Sequence, residues 1–314
     1  MKTHSRQHLA IVQQQVKRVD GVEAIQCDEL VALRIENESA SAVIFLQGAQ
    51  IASYQPRGQQ AVLWLSDSCE YKRGKPLRGG IPVCWPWFGD LSRNPQAIID
   101  QVEKADKAPA HGFVRDQEWQ LDQAVRKDTD TTMINLSLDI DNDNAQGWQF
   151  PCRLTLEVHV GKVLDIAFRV DNTGLSDFFA SSALHSYFSV SDIANVSVEG
   201  LSGVEYVDSL QGWQRYSQKG QLQINQEVDR IYQSVPDMVA INDAGLLRKI
   251  RLRQASAPSL VVWNPWIEKA RRLSCFGNDD YLGMVCLETA QVLEHAQTIR
   301  AGSSGRIGLT IESD

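Results

Sequence analysis

Cysteine pairs at metal-ligand spacing are missing from this chain: Cys27, Cys69, Cys84, Cys152, Cys275 and Cys286 are scattered, with no CxxC. That argues against a structural zinc site and a disulfide framework, and favours reduced thiols. Long apolar runs are missing too, and nothing approaches the ~18 consecutive apolar residues of a membrane span. The stretch from Met1 to Gln15 is polar, so no signal peptide is expected. Positive charge is in deficit, with 31 Lys and Arg against 39 Asp and Glu and a formal net charge of -8. This disfavours a general nucleic-acid or anionic-membrane surface, so an anionic ligand would need a local basic site. The expectation is a cytoplasmic monomer with neither membrane nor nucleic-acid partners.

Amphipathic helices are scarce after the first twenty residues. Leu9, Val12, Val16 and Val19 have helical spacing and predict one short helix over about Ser5 to Val19, in an N-terminal extension of residues 1–20. Strand signals dominate the rest. Val31, Leu33 and Ile35 alternate with Ala32, Arg34 and Glu36, and Ile134 to Ile140 is a clean period-two run. Leu154, Leu156, Val158 and Val160, then Gly161-Lys162, then Leu164, Ile166, Phe168 and Val170 read as a β-hairpin. Further strands are expected near Val196–Val198, Ile250–Leu252, Leu260–Trp263 and Ile307–Ile311. Antiparallel strands spread over the whole length, without a linker, point to one all-β sandwich domain over residues 21–314.

The stretch Arg78–Gly89 contains three glycines, two prolines and three large aromatics behind one arginine. Pro82 and Pro86 exclude a helix, and no period-two alternation is present. A rigid aromatic-walled loop holding Arg78 over a cleft fits this composition; so does a core-plugging loop whose arginine pairs with a carboxylate. His111-Gly112-Phe113-Val114-Arg115 again sets an arginine beyond a glycine and an aromatic. Two such arginines suit a phosphate or carboxylate clamp. The polar stretch from Asn94 to Ala110 reads as a surface loop at the cleft rim.

His185 lies in the apolar stretch Ala183–Phe188, where a core histidine and a proton donor near neutrality are both consistent with the sequence. His159, alternating with Thr155 and Glu157, is assigned to solvent. Glu288 is embedded in Met284–Ala290. Burial would raise its pKa and make it a better base, whereas a solvated face opposite Leu287 would leave it ordinary. Glu227–Tyr232 is a charged cluster and Val261–Trp266 an aromatic turn.

Taken in order, Arg78–Gly89, His111–Arg115, Ala183–Phe188, Glu227–Tyr232, Val261–Trp266 and Met284–Glu288 resemble one family. It is the glucose-6-phosphate 1-epimerases, or hexose-6-phosphate mutarotases, of the aldose 1-epimerase superfamily, and the resemblance spans roughly residues 30 to 312. It implies a galactose-mutarotase-like β-supersandwich with few short helices, an open sugar cleft, and no metal or cofactor. It also implies His185 as general acid, Glu288 as general base, Arg78 and Arg115 as holders of the 6-phosphate, and Asp229 as a contact to sugar hydroxyls. His111 joins the substrate-binding set.

Ala110 stands where many relatives carry glutamine, and the segment before the motif is longer than usual. The implied activity is interconversion of the anomers of glucose 6-phosphate, with the imidazole and carboxylate facing each other across a gap one pyranose wide. Two guanidinium groups would close the far end of that gap. A mutarotase of unphosphorylated aldoses and a non-catalytic sugar-phosphate binder remain as alternatives. A glycoside hydrolase would want two carboxylates rather than a His–Glu pair.

Overall fold

The computed structural model of the chain describes residues 2–141 and 143–314. Among them, strands dominate and helices are few: Lys2–Val16, Gln96–Ile99 and Trp266–Ala270, with short 3-10 turns between strands. The first helix ends three residues before the expected Val19, where the Val19 N–H donates to the Val16 carbonyl in a closing turn (2.8 Å). Val12 and Val16, one turn apart, bury their side chains in the main core.

Two large antiparallel sheets form the body. The nine-stranded sheet includes the expected hairpin, Cys152–Val160 with Leu164–Asn172, paired from Val160↔Leu164 to Cys152↔Asn172. Its strands alternate as period two requires. Leu154, Leu156, Ile166 and Phe168 point into the core, while Arg169 and Asp171 lie outside. His159 sits on the outer side of its strand, 3.0 Å from Glu157.

The eight-stranded sheet differs, because its central strands Ser259–Asn264 and Met284–Gln291 are buried on both faces. Leu260, Val262, Val285 and Leu287 face the core shared with the nine-stranded sheet. The opposite face carries Val261, Trp263, Cys286 and Glu288, and loops cover it instead of solvent. The sequence alternation around Leu287 and Glu288 is therefore real, yet the non-core side is roofed. A four-stranded sheet from Val22–Cys27 to Ile51–Pro56 and the two-stranded pair Phe178–Ala180 with Gln297–Ile299 complete the architecture.

Candidate active site

Strand register assembles the floor. Val261 pairs with Glu288, Trp263 with Cys286, and Asp229 with Trp263, so alternate residues of three neighbouring strands share the covered face. Ser182–Leu184 and Tyr187–Ser189 pair with the same long strand through Leu184↔Thr289 and Tyr187↔Cys286. Continuing that register sets His185 opposite Glu288. Strands about 4.8 Å apart bring such residues together directly.

The Arg78–Gly89 segment is stitched across this floor. Gly80 and Pro82 accept from the N–H groups of Tyr187 (2.9 Å) and His185 (3.0 Å), and Pro86 accepts from Ser181 (2.9 Å). The His111 motif is zipped onto it in turn: the His111 N–H donates to Gly89 (2.8 Å) and the Gly89 N–H donates to His111 Nδ1 (3.3 Å). Gly112 has φ of +74°, and a Cβ there would lie 1.8 Å from the Trp85 carbonyl oxygen, so only glycine fits.

His185 Nε2 lies 3.4 Å from Glu288 Oε1, with both side chains nearly sealed from solvent. The Tyr187 ring stacks on the imidazole (4.7 Å, 8°), and Trp263 and His111 meet it edge-on. Burial, reinforced by the Asp229 charge, pushes the Glu288 carboxyl well above its ordinary range. Burial also holds His185 well below the usual histidine range, with His111, Arg115 and Arg78 acting in the same direction. Burial, with Arg115 and Arg78, brings His111 down to about 3, consistent with its Nδ1 accepting a hydrogen bond. Among the described residues, Glu288 Oε2 and His185 Nδ1 have no hydrogen-bond partner. Cys286 contributes a third buried donor, and one atom from each of these three residues lies within 4.8 Å of the other two.

Above this floor opens a cavity of about 430 Å³ whose lining includes Arg78, Arg93, Trp213, Asp229 and Lys269. It falls in the usual size range for small-ligand sites. Arg78 donates from Nη2 to the Ser274 carbonyl (3.4 Å) and also to the Tyr187 hydroxyl. Arg93 lies over the Trp213 ring at 5.4 Å, and among the described residues no carboxylate is within ion-pair distance of it. Lys269 sits 3.2 Å from Glu227 and 3.8 Å from Asp229. Burial raises the Asp229 pKa, against the opposing pull of Lys269 and a Ser209 hydrogen bond.

Two expectations are corrected by this geometry. The imidazole and carboxylate touch rather than face each other across a pyranose-wide gap, because they occupy opposed positions on adjacent strands. Arg115, in the turn Val114–Asp116, is not part of the cavity lining, although its charge reaches His111 and His185. Arg78, Asp229, His111, His185 and Glu288 do converge on one cavity. Ala110 is exposed and outside the lining. Arg93, Trp213 and Lys269 escape a motif reading, since the first two lie in or beside 3-10 turns and the third in the short helix Trp266–Ala270, and the aim of each depends on long-range packing. The only local hint is an arginine four residues beyond Gly89, at the edge of the polar loop.

The family model for aldose 1-epimerase matches residues 31–311. A protein from Escherichia coli K12 named "Putative glucose-6-phosphate 1-epimerase" is 33% identical over 268 residues, covering 85% of each chain. A protein of the same name from the plant Cenchrus ciliaris is 31% identical, covering 86% of this chain and 80% of its own. Among solved structures, one described as a "putative mutarotase" from Salmonella typhimurium superposes with a TM-score of 0.85 at 29% identity, covering 94% of each chain.

Proposed function

From the premise that this chain belongs to the aldose 1-epimerase family, and so to the mutarotases, we propose that it interconverts the α and β anomers of hexose 6-phosphates, glucose 6-phosphate foremost. The observation that carries this reading is the contact between His185 and Glu288 at the floor of a cavity walled by Arg78 and Arg93, neither of them ion-paired among the described residues. O1 and O5 of a pyranose are both bonded to C1. An acid and a base in mutual contact therefore suit them better than a pair held a ring apart.

Glu288 takes the proton from the O1 hydroxyl while His185 delivers one to O5. The C1–O5 electrons leave with O5, C1=O1 forms, and the aldehyde turns about C1–C2 before closing on its other face with the roles reversed. The pair carries one shared proton throughout: it rests as imidazole and carboxylic acid, acts as imidazolium and carboxylate once that proton passes from Glu288 to His185 across their contact, and returns to the neutral form as the ring opens. Burial disfavours the charged form of both groups and so favours their passage to the neutral form as the ring opens. Asp229, with its own pKa raised, contacts sugar hydroxyls, and His111, neutral and tethered to Gly89, shapes the imidazole side of the cavity.

Phosphate selection rests on Arg78 and is supported by Arg93 and Lys269 on the same walls. Arg115 contributes a longer-range field. The names of the Escherichia coli and Cenchrus ciliaris relatives point to the same substrate. The test is two-dimensional exchange NMR on glucose 6-phosphate, other hexose 6-phosphates and free glucose with catalytic amounts of protein. Enhanced exchange for the phosphorylated sugars supports the reading. Equal enhancement for glucose and its 6-phosphate refutes the phosphate selection, and binding without exchange refutes catalysis.

A further inference from the structure

The donor atoms at the cavity floor have a spacing that sugar chemistry does not require. His185 Nε2 and Glu288 Oε1 are 3.4 Å apart, longer than the ~2.8 Å of a charge-assisted hydrogen bond. At a tetrahedral metal, bonds of about 2.1 Å to nitrogen and to oxygen place those two atoms about 3.4 Å apart. Cys286 Sγ lies within 4.8 Å of this pair, against the about 3.6 Å that bonds of about 2.3 Å to sulfur and 2.1 Å to the others would set, so its side chain closes in when the ion binds. Strand geometry explains the cluster: Cys286 and Glu288 are two residues apart on one face, and His185 opposes Glu288 from the neighbouring strand. The second Glu288 oxygen is buried without a hydrogen-bond partner among the described residues. His185 and Glu288 both line the cavity, so a small ion reaches them from solvent.

We propose that His185, Cys286 and Glu288 form an inhibitory site for a thiophilic divalent cation of the zinc class. Cys286 Sγ, His185 Nε2 and the Glu288 carboxylate are the ligands, and the fourth tetrahedral position faces the cavity. Thiolate and carboxylate together neutralise the ion's two charges, which suits a buried site. Binding releases the thiol proton, and any proton on the His185–Glu288 pair, to solvent; nothing is oxidised or reduced. Magnesium and calcium, which want six or more oxygen ligands, do not fit this donor set.

Among the described residues His185 Nδ1 has no hydrogen-bond partner to orient the ring, which weakens the site relative to structural zinc centres, so the ion exchanges rather than resides. The ion and the sugar's O1 and O5 compete for the same two side chains. The inhibitory part of this inference rests on the acid–base reading above; the binding part does not.

The test titrates the intact protein with Co²⁺, following the thiolate-to-metal charge-transfer absorption, and then displaces it with Zn²⁺. A one-to-one band is expected, displaced by Zn²⁺ and untouched by Mg²⁺. Cys286→Ser should abolish the band and weaken Zn²⁺ by more than about tenfold, the least that losing a ligand entails. Anomer exchange measured separately should slow with Zn²⁺ and recover with a chelator. Absence of the band, or its persistence in Cys286→Ser, overturns the site. Should that variant not fold, the band of the unmutated protein decides alone. Zn²⁺ binding with no loss of rate overturns the inhibitory role and faults the acid–base reading. Normal rates without cation binding overturn the site and leave that reading intact.

Discussion

Glu288→Gln is the substitution on which the functional reading turns, because it keeps the shape of a fully buried side chain and removes only its basicity. Loss of one general base typically costs about 10²–10⁴-fold in rate, or about 2.7–5.4 kcal/mol of barrier. Turnover of glucose 6-phosphate should fall within that range, read by exchange NMR. Stability should move the other way.

The folded-state pKa of Glu288 is raised above the ordinary value of 4.5, so the folded protein holds a proton that the unfolded chain gives up. Wild-type stability therefore declines as pH rises from about 4.5 through the raised folded value. Glutamine has no such proton to lose. The variant's melting temperature should gain on the wild type as pH is taken from 5 to 8. Wild-type exchange rates in the variant would refute the catalytic assignment. A melting-temperature difference that does not grow with pH would refute the account of burial.

His185→Asn should lower kcat by about 10²–10⁴-fold with KM little changed, since the imidazole is asked to act in the reacting step; an unchanged kcat removes it from the mechanism. Arg78→Ala should raise KM for glucose 6-phosphate by about 10- to 150-fold, matching about 1.5–3 kcal/mol for a charged hydrogen bond, and leave KM for glucose unmoved. Arg93→Ala should shift the same ratio in the same direction, and a similar loss for both sugars would mark Arg93 as part of the wall only. Gly112→Ala should cost more than about 2 kcal/mol in chemical denaturation, from the left-handed backbone and the clash with the Trp85 carbonyl. A near-neutral Gly112→Ala would mean that the two loops are not locked together as described.

Much of the site was legible because its motifs are local. Arg78–Gly89 and His111–Arg115 announce irregular, glycine-dependent backbone, and the two loops prove to be bonded to each other, the first of them also to the His185 segment. The hairpin at Gly161 and the inward rows of the nine-stranded sheet follow from alternation alone. Arg115 shows where such reasoning stops: its motif resembles a ligand-binding one, yet its side chain is not on the cavity wall. Arg93 shows the converse, an arginine in unremarkable sequence that a short turn carries onto Trp213.

The sequence by itself determined an antiparallel β-protein, the residues able to carry acid–base chemistry and the local basic groups of an otherwise acidic chain, because period, turn chemistry and charge are properties of neighbours. Only the tertiary structure decided that His185 and Glu288 touch, that the face bearing Glu288 is roofed instead of wet, and which arginines reach the cavity. Those outcomes depend on strand register and on loops crossing a sheet, and they join side chains far apart in the chain whose contact no local pattern records.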